Sequence, residues 1–250
     1  MISRARFKFL RSLSRKKARD EEGVFLVEGL TLVEEAVARG FAREILLDAE
    51  GGRGPRIDAL LASRVPVVEL TPEDAAALAE TESPQGVFAL ARNPVRPLEE
   101  ARWPERALVL LAAGVADPGN FGTLVRTAAA LGAAALVATP GTVEPTNPKA
   151  VRASAGALFR LRVLRGDAAG LKRAGFAILV ADATGTPVGN LRTRPARLAL
   201  AVGSEPKGVD EATRRLAAGT VAVPLDAGVE SLNVAVAAGI LLHALRPAPA

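Results

Sequence analysis

The chain has 250 residues, and the polar side chains able to do chemistry cluster in four loops of its second half. Cysteine is absent and histidine occurs once, as His243. Thiolate nucleophiles, disulfides, zinc–thiolate sites and sulfur-held haem or iron–sulfur clusters are therefore excluded. One imidazole also disfavours a Ser-His-Asp triad or a histidine-rich metal site, and no metal is expected. Proton transfer must fall to Asp, Glu, Lys, Arg, a hydroxyl or the ligand itself.

The first loop reads Ala116-Asp-Pro-Gly-Asn-Phe-Gly-Thr-Leu-Val-Arg126. Asn120 stands where a helix N-cap belongs, and the free N–H groups of a first helical turn can hold an anion. Arg126 follows six residues later, about 600° round an ideal helix, so the two converge only if Asn120 acts from the entry turn. A polar helix start and a surface arginine explain the same residues. The second loop runs from Thr139 to Pro148 ahead of Lys149, Arg152 and Ser154. That trio suits phosphates or an ordinary solvated face equally well.

The third loop is Gly203-Ser-Glu-Pro-Lys-Gly208, with Glu205 as its carboxylate. Its glycines let backbone approach a ligand closely, but it matches neither a dinucleotide fingerprint nor a Walker loop, and a plain β-turn stays open. The fourth, Val223-Pro-Leu225 through Ser231-Leu232-Asn233-Val234, leads into an apolar helix with Ser231 as its expected cap. That helix is apolar almost all round, so it must be buried in a core or against a second subunit. His243, near its end, reads as structural or surface.

The elements positioning these loops alternate. Strands are expected at 107–112, 135–138, 161–164, 176–181, 197–202 and 220–223, and helices at 120–131, 148–157, 168–174, 208–217 and 231–245. Such alternation implies a mostly parallel sheet with helices on both faces, whose ligands collect beyond the strands' carboxyl ends. A smaller α/β unit precedes it, with strands near 25–27, 44–47, 65–70 and 86–91 and helices near 30–39 and 57–62. In it, Thr71 should cap a further helix with Pro72 in the first position. Three prolines in Asn93–Pro104 suggest a connector, giving a basic arm at 1–19, a small domain at 20–92, a linker at 93–106 and a large domain at 107–250.

The net charge of +5 is local in origin. Residues 1–19 hold Arg4, Arg6, Lys8, Arg11, Arg15, Lys16, Lys17 and Arg19 with no acid, while the rest carries 24 cations and 27 acids. A basic arm on a near-neutral body points to a polyanion such as nucleic acid. A secretory leader is not expected, no apolar run is long enough to span a bilayer, and the protein reads as cytoplasmic. With eight Phe, one Trp and no Tyr, phosphate and shape contacts should dominate over base stacking.

In order and wording, Asn120-x-Gly122-x-x-x-Arg126, Gly203-Ser-Glu205-x-x-Gly208, and Pro224 followed by Ser231-Leu-Asn233-Val resemble the three motifs of the SpoU (TrmH) RNA 2′-O-ribose methyltransferases of the SPOUT superfamily. Asn147–Gly156 is similar to a stretch between the first two motifs, and Phe25–Gly29 with Ser83–Ala89 to the substrate-binding domain that many members carry. The resemblance implies a parallel sheet with a trefoil knot, a small N-terminal RNA-binding domain, S-adenosylmethionine (AdoMet) as cofactor and a homodimer. It implies cofactor contacts at Thr139, Gly203, Val223, Leu225, Leu232 and Val234, and an active-site set of Asn120, Arg126, Glu205, Ser231 and Asn233. Arg126 is then either the base or a phosphate clamp. RNA contacts are expected from the basic arm and from Lys149 and Arg152. Ribosomal RNA of the large subunit is the expected substrate; transfer RNA, a base nitrogen as methyl acceptor, and a non-catalytic RNA-binding protein are the alternatives.

Overall fold

Seven consecutive apolar residues, Ala107–Ala113, are all buried, as a strand covered on both faces requires. The computed structural model describes residues 2–51, 54–81, 83–204, 208–226 and 228–246. They form two units, 1–94 with 146–160, and 95–145 with 161–250.

The first unit contains α1 (Arg4–Ser12), α2 (Lys16–Glu22), β1 (Val24–Glu28), α3 (Leu30–Ala38), β2 (Ala42–Asp48), α4 (Pro55–Leu61), β3 (Val67–Leu70), α5 (Pro72–Leu78) and β4 (Val87–Arg92). Its sheet has the order β1-β4-β2-β3, antiparallel except for β2 with β3. Thr71 accepts the Asp74 N–H at 3.2 Å and so caps α5, with Pro72 in the first turn. The expected arm is not a tail. Phe7, Leu10 and Leu13 pack against Leu46, Leu78 and Phe88 of the sheet and α5. Arg19 is buried and donates to the carbonyls of Leu13 at 2.8 Å and Ser14 at 2.7 Å, closing the turn between α1 and α2. Three of the six apolar residues among Ile2–Leu13 are phenylalanine or leucine at helical spacing (Phe7, Leu10, Leu13). This apolar face folds the segment, while Arg4, Lys8 and Arg11 stay outside.

The second unit holds β5 (Arg96–Pro97), β6 (Ala107–Ala113), α6 (Pro118–Ala130) and β7 (Ala135–Ala138), and after an excursion β8 (Val163–Arg165), α8 (Ala168–Arg173), β9 (Ala177–Pro187), β10 (Arg197–Gly203), α9 (Glu211–Leu216), β11 (Gly219–Ala222) and α10 (Val234–Leu245). The excursion, which contains α7 (Pro148–Ala153), belongs to the first unit, whereas the sequence reading placed 146–160 in the large domain. The strand order is β11-β9-β10-β6-β7-β8-β5, and every pair is parallel. One face of this sheet meets α8 and α9 through Val109, Val137, Ile178 and Ala199; the other carries α6 and α10, which pack on each other. The expected connector is part of this unit: β5 forms the sheet edge, Leu98 is buried, and Trp103 meets Phe176 edge-on at 4.8 Å. Proline is tolerated at an edge because the outer strand needs no further N–H donors.

Candidate active site

The site is built at the carboxyl ends of β6, β9, β10 and β11, where parallel strands end in loops. β6 runs into Gly114, whose N–H is accepted at 3.1 Å by both Thr139 and Thr142. Thr142 also donates to the Ala112 carbonyl at 2.8 Å. Buried Thr139 thus braces the exits of β6 and β7; it is not among the residues lining the cavity described below.

Asp117, rather than Asn120, caps α6, accepting the Asn120 N–H at 2.6 Å with Pro118 in the first turn. The preference of proline for the first helical position fixes the cap one residue ahead of it. This frees the Asn120 side chain, which accepts a 2.8 Å hydrogen bond from Asn233 Nδ2. The cap of α10 is likewise Asn233, not Ser231: its Oδ1 accepts from Ala235 at 2.9 Å and from Val236 at 3.4 Å. One side chain therefore both starts α10 and ties it to the first turn of α6. Arg126 is exposed two turns along α6, and Ser231 is exposed just ahead of α10. Glu205 lies outside the described residues.

Beside the paired asparagines opens a cleft that is partly open to solvent. Gly203, Val223, Leu225, Leu232 and Val234 line it, as does Ser231. Its wall is largely aliphatic, and the stretch 223–233 belongs to no helix or strand among the described residues, so ladder bonding does not consume its amides and carbonyls. Gly203 is obligatory there, because a Cβ would overlap the Gly208 carbonyl group and the Val209 nitrogen. The Gly208 N–H closes this turn on the Ser204 carbonyl at 2.7 Å.

Asp182, at the same cleft, was not singled out from the sequence. Its carboxylate accepts the Thr184 N–H at 3.0 Å and hydroxyl at 2.8 Å, and pairs with Arg214 at 2.7 Å. The Thr184 amide, then the Arg214 guanidinium, hold this carboxyl below its ordinary range, so it stays anionic at neutral pH. Its signal was positional: it sits past the expected end of a parallel strand.

Other expected contacts are not among the residues that line this cleft. Lys149 is exposed in the first turn of α7, while Arg152 is paired with Glu80 at 3.1 Å. Ser154 is buried and donates to the Val151 carbonyl at 2.7 Å, so these three residues do not form a phosphate cradle. On α1 and α2, Arg4, Lys8, Arg11 and Arg15 are exposed; Arg6 pairs with Glu44, Lys16 with Asp20 and Lys17 with Glu21. His243 is exposed on α10.

Residues 107–243 match the SpoU rRNA Methylase family, and residues 4–89 match the MRM3-like substrate binding domain. A 23S rRNA (guanosine(2553)-2′-O)-methyltransferase of Bacillus subtilis is 37% identical over 246 residues, covering 94% of each chain. A 23S rRNA (uridine(2479)-2′-O)-methyltransferase of Streptomyces viridochromogenes is 30% identical, covering 92% of this chain and 85% of the relative. The crystal structure of the SpoU methyltransferase AviRb from the same organism, in complex with AdoMet, superposes with a TM-score of 0.88 at 29% identity, covering 97% of both chains. With Asn120, Gly203, Ser231 and Asn233 gathered at one end of an all-parallel sheet and the family match spanning six of its seven strands, the chain belongs to the SpoU rRNA methylase family.

Proposed function

We propose that this protein is an AdoMet-dependent methyltransferase that methylates a ribose 2′-hydroxyl in ribosomal RNA, of the large subunit. The observation that carries the reading is the 2.8 Å bond between Asn233 and Asn120, which locks two distant motifs together beside the Gly203 cleft. The cleft fits the cofactor: aliphatic walls suit an adenine ring, ladder-free backbone suits its polar edge, and Gly203 permits the close approach. Gly203, Val223, Leu225, Leu232 and Val234 would hold it, and Thr139 supports that loop cluster from behind. AdoMet supplies the electrophilic methyl group when bound.

The protein's contribution is orientation and charge. A ribose hydroxyl is a poor nucleophile until its proton departs. A guanidinium is a donor-only cation, better suited to clamping an RNA phosphate and stabilising the developing alkoxide than to removing a proton. Arg126 takes that role here, and the proton leaves late to phosphate or water. Asn120 and Asn233 hold each other and the first turns of α6 and α10, while Ser231 faces the cleft with a hydroxyl able to hold ribose or cofactor carboxylate. Glu205 is assigned to the same set from its motif.

The reading includes a homodimer and the trefoil knot of the family. Val236 and Ile240, 51% and 41% exposed and one turn apart on α10, form an apolar face suited to a second copy. The exposed cations of α1 and α2 are assigned to RNA phosphates. No helix among the described residues is long and apolar enough to cross a membrane, in keeping with a cytoplasmic enzyme.

The test is transfer of labelled methyl from AdoMet to large-subunit RNA, with the product nucleoside identified. A methylated ribose is expected; a methylated base would overturn the assignment. Arg126→Ala should lower transfer by about 100-fold or more, and Arg126→Lys should not restore it, because a planar fork and not charge alone grips the phosphate.

A further inference from the structure

The first unit contains a second cleft, with about 730 Å³ of empty space, that the methyl-transfer reading does not use. Its floor is apolar, made by Leu10, Leu13, Leu26, Leu78 and Val151. Its rim is charged in an ordered way. Arg11 stands on one side; on the other the Glu80 carboxylate pairs with Arg152 at 3.1 Å. Glu28 accepts the Glu80 N–H at 2.9 Å and the Thr81 hydroxyl, fixing that side of the rim.

Arg11 also belongs to a stripe. Arg4, Lys8 and Arg11 fall within about 60° of arc on α1, spread over about 10 Å of axis. All three are exposed, and the Arg11 guanidinium lies 5.9 Å from the Phe7 ring centroid, which directs it along the helix. A row of cations that ends at an apolar cleft matches the layout of a nucleic-acid strand, in which charged backbone flanks flat, poorly hydrated bases.

We propose that this cleft receives one unstacked nucleotide of the RNA substrate, its phosphates on the Arg4-Lys8-Arg11 stripe and its base on the leucine floor. The base's amino or imino hydrogens then face the Glu80 carboxylate. The arrangement selects a loop or bulge over a regular duplex, because a paired base cannot leave its stack without cost. This inference rests on RNA being the substrate, as proposed above.

Ala77 is an exposed residue of α5 on the cleft wall, so Ala77→Trp fills the space without disturbing the core; Ala76→Trp, exposed but not on the wall, is the control. With protein-free large-subunit RNA as substrate, Ala77→Trp should raise KM for RNA by about tenfold, the scale of losing one buried apolar contact, at unchanged kcat and unchanged AdoMet affinity. Ala76→Trp should resemble wild type. An unchanged KM in Ala77→Trp overturns the proposal. A binding arm is independent of turnover: RNA carrying 4-thiouridine, irradiated with the full chain, should crosslink to residues 10–14 or 77–80. Crosslinks confined elsewhere overturn the cleft, whereas crosslinks there without methyl transfer support it and reject the enzymatic reading instead.

Discussion

Asn233 does two jobs with two atoms, and substitution can separate them. Its Oδ1 caps α10 through Ala235 and Val236, and its Nδ2 donates to Asn120. Replacing an Asn cap by Ala costs about 1 kcal/mol. Losing a half-exposed side-chain hydrogen bond costs about 1 kcal/mol more. Asn233→Ala should therefore lose about 2 kcal/mol, Asn120→Ala about 1 kcal/mol, and the double variant no more than Asn233→Ala alone, a coupling of about 1 kcal/mol. Asn233→Ser keeps a cap but is too short for Asn120, so it should match Asn120→Ala. Trp103 is the only tryptophan and packs on Phe176 within the second unit, so its fluorescence in urea reports this unit's unfolding. A loss of 2 kcal/mol moves the midpoint by about 1 M. Methyl transfer, measured well below the transition, should fall in both single variants and no further in the double. If the two losses simply add, in stability and in activity, the bond between the motifs does not couple them, and the reasoning fails.

Gly203→Ala should weaken AdoMet binding by more than about tenfold in calorimetry, because the new Cβ displaces the Gly208 backbone from the turn that shapes the cleft. Near-normal affinity would mean that this turn does not form the binding wall. Asp182 has a folded-state pKa depressed by Thr184 and Arg214, so its contribution is complete above the unfolded carboxyl value and fades as pH falls through the lower folded one. The stability gap between wild type and Asp182→Asn, followed by Trp103 fluorescence, should be flat above about pH 5 and shrink below about pH 4; a gap independent of acid rejects the carboxylate's role. Arg19→Met leaves the Leu13 and Ser14 carbonyls without their cationic donor, and should cost about 2–4 kcal/mol, read as faster amide exchange in β1; unchanged exchange would mean that Arg19 does not anchor residues 1–19 to this unit.

Much of this architecture can be read from local pattern, and the failures have physical causes. The all-apolar run Ala107–Ala113 announces a doubly covered strand, and the alternation of strands and helices that follows implies parallel neighbours. Charge, by contrast, hid a fold: eight cations in residues 1–19 drew attention from Phe7, Leu10 and Leu13, whose spacing encodes an amphipathic helix. Prolines misled in the same way at 93–106, since Pro97 sits in an edge strand where its missing N–H costs nothing. The cap of α6 was misread as Asn120, although Pro118 at the first helical position places it at Asp117. Nothing local distinguishes Asn233 from Ser231 as the start of α10; both are good caps, and the contact with Asn120, 113 residues away, selects between them.

Asp182 shows where sequence reading reaches its limit. No motif marks Ala181-Asp-Ala-Thr184, and a carboxylate at the expected end of a strand is ordinary. What gives it a place at the cleft is the order β11-β9-β10-β6, which sets β9, the strand that carries Asp182, between β10 and β11. Strands 9, 10 and 11 are neighbours in the sheet but not in chain order, and that permutation depends on long-range packing that no spacing of residues records. The motif residues were recognised through the family resemblance, and the structure shows what restricts their type: a glycine where a Cβ collides, an asparagine that must donate and accept at once. Asp182 is instead restricted by neighbours 2 and 32 residues away, Thr184 and Arg214, which fix its charge. A cleft assembled from three neighbouring strands therefore has walls that are legible one loop at a time, and a charge distribution that becomes legible only once the strand order is known.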